Sequence, residues 1–282
     1  MKLRKLIAAV LAALLLVGSV SALAEITIGV PNDTTNEARA LQLLADNGII
    51  ELAEGAGETA TKADVLTEGV EIVEAQAEYL INQLPDLDYA VINSNFVLDA
   101  LDAGIEINSA LLTEAEEKYL PRANVIAVNG NNVDADLTKA LVAAATSQQV
   151  KDYITETYAG AVISVVENPT DGYDPDVDYA ALAGQTITIA ATPAPHAQIL
   201  EIVKQILAEK DITLDIAVYS GYTEENPAVD AGDVYANYFQ HQPYLDDYVA
   251  ETGGNVVTVA VVHTEPMGLY GGKQADLSAL GK

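Results

Sequence analysis

Short apolar runs alternate with helical periodicity along most of this chain. Residues 25–30 (EITIGV) read as a strand, and residues 36–47 (NEARALQLLADN) space their apolar side chains as a helix that stops at Gly48. Residues 89–93 and 124–128 are short buried strands. Helices are expected over 136–145 and 147–158, the second opening on Ser147 as its cap. The pattern then breaks. Residues 164–185 carry Pro169, Asp171, Gly172, Asp174, Pro175, Asp176 and Asp178, and read as an acidic, turn-rich linker. Beyond it come a strand at 186–190, a helix at 196–209, and strands at 212–219 and 256–262. Strand–helix alternation of this kind predicts α/β layers with largely parallel sheets.

Two stretches open alike. ITIGVPNDTTNEARAL from Ile26 and ITIAATPAPHAQIL from Ile187 both run strand, proline-bearing turn, helix. The turn at the carboxyl end of a parallel strand is where α/β proteins bind ligands. Two such openings suggest two lobes, each giving one edge to a shared cleft.

Composition narrows the partners. Of the 282 residues, 42 are acidic and 13 basic, a formal charge of -29 that argues against nucleic acid or anionic membrane surfaces. Lys2, Arg4 and Lys5 precede an apolar run over 6–20, and Ala22-Leu23-Ala24 supplies a small-x-small site. The expectation is a signal peptide over 1–24, cleaved before Glu25, and an exported protein that is soluble after cleavage. The sequence has no cysteine, which removes disulfides, thiolate metal sites and cysteine nucleophiles, and also the cysteine that would carry a lipid anchor.

Several segments resemble the NlpA-type methionine-binding lipoproteins, the substrate-binding components of methionine ABC importers. They are PNDTTNEARAL (31–41), AVIN (90–93), ANVIAV (123–128), YAGAVI (158–163), TPAPHA (192–197), DVYANYFQHQPYL (233–245) and HTEPMGLY (263–270). The order differs from the family's, in which the TPxPH and NYFQH segments come first and PNDxTN follows HxEPMGLY. The chain therefore resembles a circular permutant, with 164–185 joining the former ends. The resemblance implies a two-lobed, type II periplasmic-binding-protein-like α/β fold, circularly permuted, with a ligand cleft between its lobes. One lobe is expected over 25–121, completed by 271–282, and the other over 122–270. It also implies a binding protein and no enzyme, without cofactor or metal, which hands methionine or a related amino acid or short peptide to a membrane ABC permease.

A free amino acid needs a cation for its carboxylate, acceptors for its ammonium and an apolar wall for its side chain. By the resemblance, Arg39, in the first turn of its helix, clamps the carboxylate with both prongs of its guanidinium. Asn36 caps that helix or faces the ligand, and the Asn93 amide oxygen accepts from the ammonium. Tyr222, Phe239, His241, Tyr244 and His263 line the side-chain pocket, where aromatic edges suit a thioether. NYFQH is too polar for an ordinary core strand, so a place on the cleft rim is expected. His196 is read as shaping the cleft from a helix start. L-methionine, D-methionine, a methionine dipeptide and another apolar amino acid remain open as ligands. Two alternatives stand beside this reading: a zinc protein using His196, His241 and His263, although no HExxH or paired-histidine spacing occurs, and a non-functional rearranged product.

Overall fold

The computed structural model describes residues 25–282, so the signal peptide expected over 1–24 lies outside the described residues. In chain order the strands are β1 (Ile26–Pro31), β2 (Val70–Ala75), β3 (Tyr89–Ile92), β4 (Leu112–Thr113), β5 (Asn124–Asn129), β6 (Ile163–Ser164), β7 (Thr186–Ala191), β8 (Thr213–Val218), β9 (Ala236–His241), β10 (Val256–Thr264) and β11 (Gly268–Gly271). They form two sheets, ordered β2-β1-β3-β11-β4 and β6-β10-β5-β9-β7-β8. Each is the centre of one lobe. Among the described residues no helix is long and apolar enough to cross a membrane.

Both sheets are mixed rather than largely parallel. β2, β1 and β3 run parallel, as do β9, β7 and β8, while β11 lies antiparallel to β3 and β4, and β5 lies antiparallel to β9 and β10. The reason is connectivity. The chain passes from the first lobe to the second ahead of β5 and returns ahead of β11, so these two strands start at the cleft where β1, β3, β7 and β9 end. The return passage occupies residues 265–267. Residues 268–270, expected in the second lobe, therefore belong to the first sheet through β11.

Buried periodicity holds each layer together. In the helix Gln198–Ala208, Ile199, Leu200, Val203, Ile206 and Leu207 are buried at helical spacing and pack with Ile187, Ile189 and Leu214 of the second sheet. Each such side chain, fully buried, stabilises by roughly 1.5–3 kcal/mol. In the first lobe the helix Thr34–Asp46 lays Leu41 and Leu44 on one sheet face, and Leu80, Phe96 and Val97 cover the other. Gly29 lets the helix Ala77–Gln83 and the segment after it approach β1: a β-carbon there would lie 3.0 Å from a Leu80 methyl and 2.6 Å from a Leu87 methyl.

Two expectations change. Residues 164–185 are no free linker: Val177 and Leu182 are buried in the second-lobe core, with Tyr173 and Tyr179 packed on it. The Lys210 ammonium sits 4.1 Å from the Tyr173 ring centre, a cation–π contact that ties this strap down. NYFQH is both core and cleft wall: Phe239, Gln240 and His241 reach the cleft from a strand that is otherwise interior. All six residues of β9 are buried in the middle of the second sheet. Its polarity is satisfied internally: Asn237 Nδ2 donates to Asn226 Oδ1 at 2.9 Å, Gln240 Nε2 to the same oxygen at 2.7 Å, and Asn226 Nδ2 to Gln240 Oε1 at 2.7 Å.

Candidate ligand-binding cleft

The carboxyl ends of β1, β3 and β9 converge on a narrow cleft of about 310 Å³ between atoms, part of it open to solvent. Asn36, Arg39 and Asn93 face it from the first lobe. Asn124, Tyr222, Phe239, Gln240, His241 and Tyr244 face it from the second, and Glu265 enters from the return passage. Seven of the eight expected site residues thus meet in one place. The exception is His263, fully buried behind the wall, where Tyr238 hydrogen-bonds its Nδ1 and its Nε2 lies 3.9 Å from Glu265 Oε2. It backs the site instead of lining it.

Asn36 sits on the helix Thr34–Asp46 but does not cap it. Asp33 is the cap, accepting from the Asn36 backbone N–H at 3.0 Å. The two oxygens of the same carboxylate lie 2.9 and 3.1 Å from Asn36 Nδ2 and share one of its N–H groups, which fixes the amide so that its Oδ1 accepts from Asn93 Nδ2 at 2.9 Å and from His241 Nε2 at 3.3 Å. His241 Nδ1 in turn accepts from the Tyr244 backbone N–H at 3.2 Å, so the proton belongs on Nε2. Burial, reinforced by the Arg39 and Arg122 charges, pushes the His241 pKa down to about 3, and the ring is neutral. Asn36 is held on its nitrogen side by Asp33 and on its oxygen side by Asn93 and His241. Its role is to hold Asn93 and His241 in place.

Arg39 differs from expectation in two ways. The helix begins at Thr34, so Arg39 lies in its second turn. Its fork is also already spent: Nε donates to Glu114 Oε1 at 2.8 Å, and Nη2 to Glu114 Oε2 at 2.5 Å and to the Glu265 carbonyl at 2.9 Å. The pair is almost wholly buried, and removing either partner would strand a charge. Glu114 Oε2 also accepts from the Met267 backbone N–H at 2.6 Å, anchoring the return passage. No hydrogen bond engages Arg39 Nη1 among the described residues, and Arg39 lines both this cleft and the cavity on its other side.

On two residues that line this cleft, Asn93 Oδ1 and Glu265 Oε2 are buried without partners, as is His263 Nε2, 3.9 Å behind the latter oxygen. An orphaned buried acceptor is costly unless a donor arrives. Burial pushes the Glu265 pKa up to about 7 against the pull of Arg39 and a hydrogen bond from the Asn95 backbone N–H. Beyond these polar groups stands an aromatic wall. Tyr222 packs on Phe96, Phe239 and Tyr244 with ring centres 5.0, 5.9 and 5.9 Å away. His196 lies one layer deeper, with Nε2 hydrogen-bonded to Asn124 Oδ1 at 3.0 Å, and shapes the cleft through that residue.

Asn124, Gln240 and Glu265 are the lining residues that sequence reasoning left out, although each stands inside a quoted segment (ANVIAV, DVYANYFQHQPYL and HTEPMGLY). Glu114 had no such signal. A larger cavity, about 900 Å³ between atoms, lies on the other side of Arg39. Its cations are taken by Glu114, Asp46 and Glu58, so it offers no comparable set of open groups. Among the described residues no group of three or more histidines and carboxylates is placed to hold a metal ion.

Two mixed α/β lobes that share one polar cleft define a two-lobed, periplasmic-binding-protein-like fold. The chain belongs to the NlpA lipoprotein family, whose model matches residues 17–166 and 187–282. It is 45% identical over 85 residues to the methionine-binding lipoprotein MetQ of Bacillus subtilis, covering 30% of this chain and 31% of that one. To the D-methionine-binding lipoprotein MetQ of Escherichia coli it is 32% identical over 144 residues, 48% of this chain and 50% of the relative. The chain thus spans between about a third and a half of the curated relatives it matches. Among solved structures, a nutrient binding protein from Burkholderia cenocepacia bound to methionine is 40% identical, covering 29% of this chain and 37% of that one, with a TM-score of 0.27.

Proposed function

We infer that this protein captures a free amino acid, methionine or a close relative, outside the cytoplasm for an ABC importer. The observation that carries this is the pairing of unmet needs in the cleft: two orphaned acceptors, Asn93 Oδ1 and Glu265 Oε2, beside one uncommitted guanidinium nitrogen of Arg39. A zwitterion answers both, its ammonium on the acceptors and its carboxylate on Arg39 Nη1, while Tyr222, Phe239 and Tyr244 receive the side chain. Family membership and the ligands named for the two MetQ relatives support methionine.

Magnitudes rank the contributions. Burying a methionine-sized side chain stabilises by roughly 1.5–3 kcal/mol, while micromolar affinity needs about 8 kcal/mol. Charge-assisted bonds, at roughly 1.5–3 kcal/mol each, must supply most of the remainder.

Export through the leader at 1–24, with release before Glu25, belongs to the same reading. So does the permuted order of segments. The family match falls in two stretches that flank residues 167–186, which supports a strap joining two former ends there.

Isothermal titration with L-methionine, D-methionine, methionyl dipeptides and N-acetylmethionine tests the assignment. Micromolar or tighter binding of a free amino acid, with N-acetylmethionine at least a hundredfold weaker, is the expected result. Equal binding of N-acetylmethionine, or heat from none of them, overturns it.

A further inference from the structure

The amino end of the helix Ser94–Asp102 touches more of the cleft than any ligand role requires. Asn93 gives Nδ2 to Asn36 and keeps Oδ1 open. Ser94 Oγ hydrogen-bonds the Pro266 carbonyl, and the nearby Asn95 backbone N–H favours the ionised form of Glu265. The Asn95 side chain, itself 2% exposed, points the other way and accepts from the Tyr222 hydroxyl at 2.7 Å. Tyr222 belongs to the second lobe, in the loop between β8 and the helix Glu225–Ala231, and Tyr244 Oη donates to the Tyr222 carbonyl at 2.9 Å. One residue of the first lobe therefore sits beside Glu265 with its backbone and receives the aromatic wall of the opposite lobe with its side chain.

We propose that Asn95 is a positioning residue whose side chain latches Tyr222, so that the aromatic wall shuts over the ligand and slows its escape. Asn95 does not touch the ligand. It acts through Tyr222, the central ring of the wall, which contacts Phe96 of the first lobe and Phe239 and Tyr244 of the second. A ligand can leave only when the lobes part, and parting breaks this hydrogen bond. The bond is short, largely desolvated and replaceable by water only once the wall has moved, so its loss falls mainly on the rate of leaving.

The backbone and side-chain roles of Asn95 can be separated. Asn95→Ala deletes the acceptor for Tyr222 but keeps the N–H on Glu265, and Tyr222→Phe deletes the donor but keeps the ring. The chain lacks cysteine, so Leu66→Cys and Val218→Cys, exposed positions on opposite lobes, accept a spin-label pair for measuring lobe separation by pulsed electron resonance. The expected result is a short distance in the otherwise unaltered protein with methionine present. Asn95→Ala, Tyr222→Phe and the double variant should shift it outward to the same extent. Stopped-flow dissociation of methionine, which rests on the proposed function, should be about three- to tenfold faster in each single variant and no faster in the double. The pH dependence of binding should stay unchanged in Asn95→Ala, which a general loosening of the site would not allow. Multiplicative effects in the double variant, an Asn95→Ala distance equal to the unaltered one, or lobes apart in the unaltered protein with and without methionine would overturn the latch. Failure to bind methionine would sink the proposed function alone, since the distances without methionine still judge the latch.

Discussion

Glu265 shows how a single residue gains its chemistry from position. In water its carboxyl would titrate near 4.5, but burial holds it near 7 with one oxygen unpaired. An arriving ammonium favours the ionised form, so binding at pH 6 must expel a proton that is already gone by pH 8. Titration calorimetry at pH 6 in buffers of different ionisation enthalpy should show up to about one proton released per methionine, and close to none at pH 8. Affinity should fall as pH drops below 7. Glu265→Gln should abolish both effects; a proton count that survives the substitution would assign the titration elsewhere. Arg39 makes the complementary point. Its charge belongs as much to Glu114 as to any ligand, so Arg39→Ala would damage the fold together with the site.

At the scale of elements, β9 is the instructive case. Asn237 and Gln240 are tolerated in a central strand because Asn226, on the neighbouring helix Glu225–Ala231, meets both of them. Asn226→Ala leaves these amides buried without it, at about 1–3 kcal/mol for each unmet group. Urea unfolding should register a loss within about 2–5 kcal/mol. A loss below about 1 kcal/mol would mean that the strand does not depend on this network. The helix Thr34–Asp46 obeys the same logic at its start. Asp33 closes the helix end and, with the same carboxylate, orients the Asn36 amide toward the cleft.

The whole molecule carries buried ionisable groups of opposite tendency. Burial raises Glu225 to about 8 and Glu265 to about 7, whereas it lowers His241 and His263 to about 3. A carboxyl raised on folding binds its proton more tightly folded than unfolded, so stability declines as pH rises from its ordinary 4.5 to the raised value. A histidine depressed on folding works in reverse, and stability declines as pH falls below its ordinary 6.5. From pH 6.5 to 8 the histidine contribution fades and the two glutamates of this set dominate. Thermal unfolding without ligand should therefore show Tm falling from pH 6.5 to 8, and Glu225→Gln, outside the cleft lining, should flatten that fall. An equal slope in both proteins would remove Glu225 from the account. The sequence by itself determined the alternating elements, the two similar openings and the family segments, because burial period and turn chemistry are local and survive reordering of the chain. It also brought Asn36, Arg39, Phe239, His241 and Tyr244 into view, since these stand in long, compositionally unusual segments, and Asn93 through the short AVIN match. Only the tertiary structure decided that Asn36 is braced by Asp33, that Arg39 is paired with Glu114, that His263 stands behind Glu265, and that β9 is a central strand whose carboxyl end lines the cleft. Each of these depends on a partner far away in the chain, such as Glu114 for Arg39 at a separation of 75 residues or His241 for Asn36 at 205, and no local pattern records such partners.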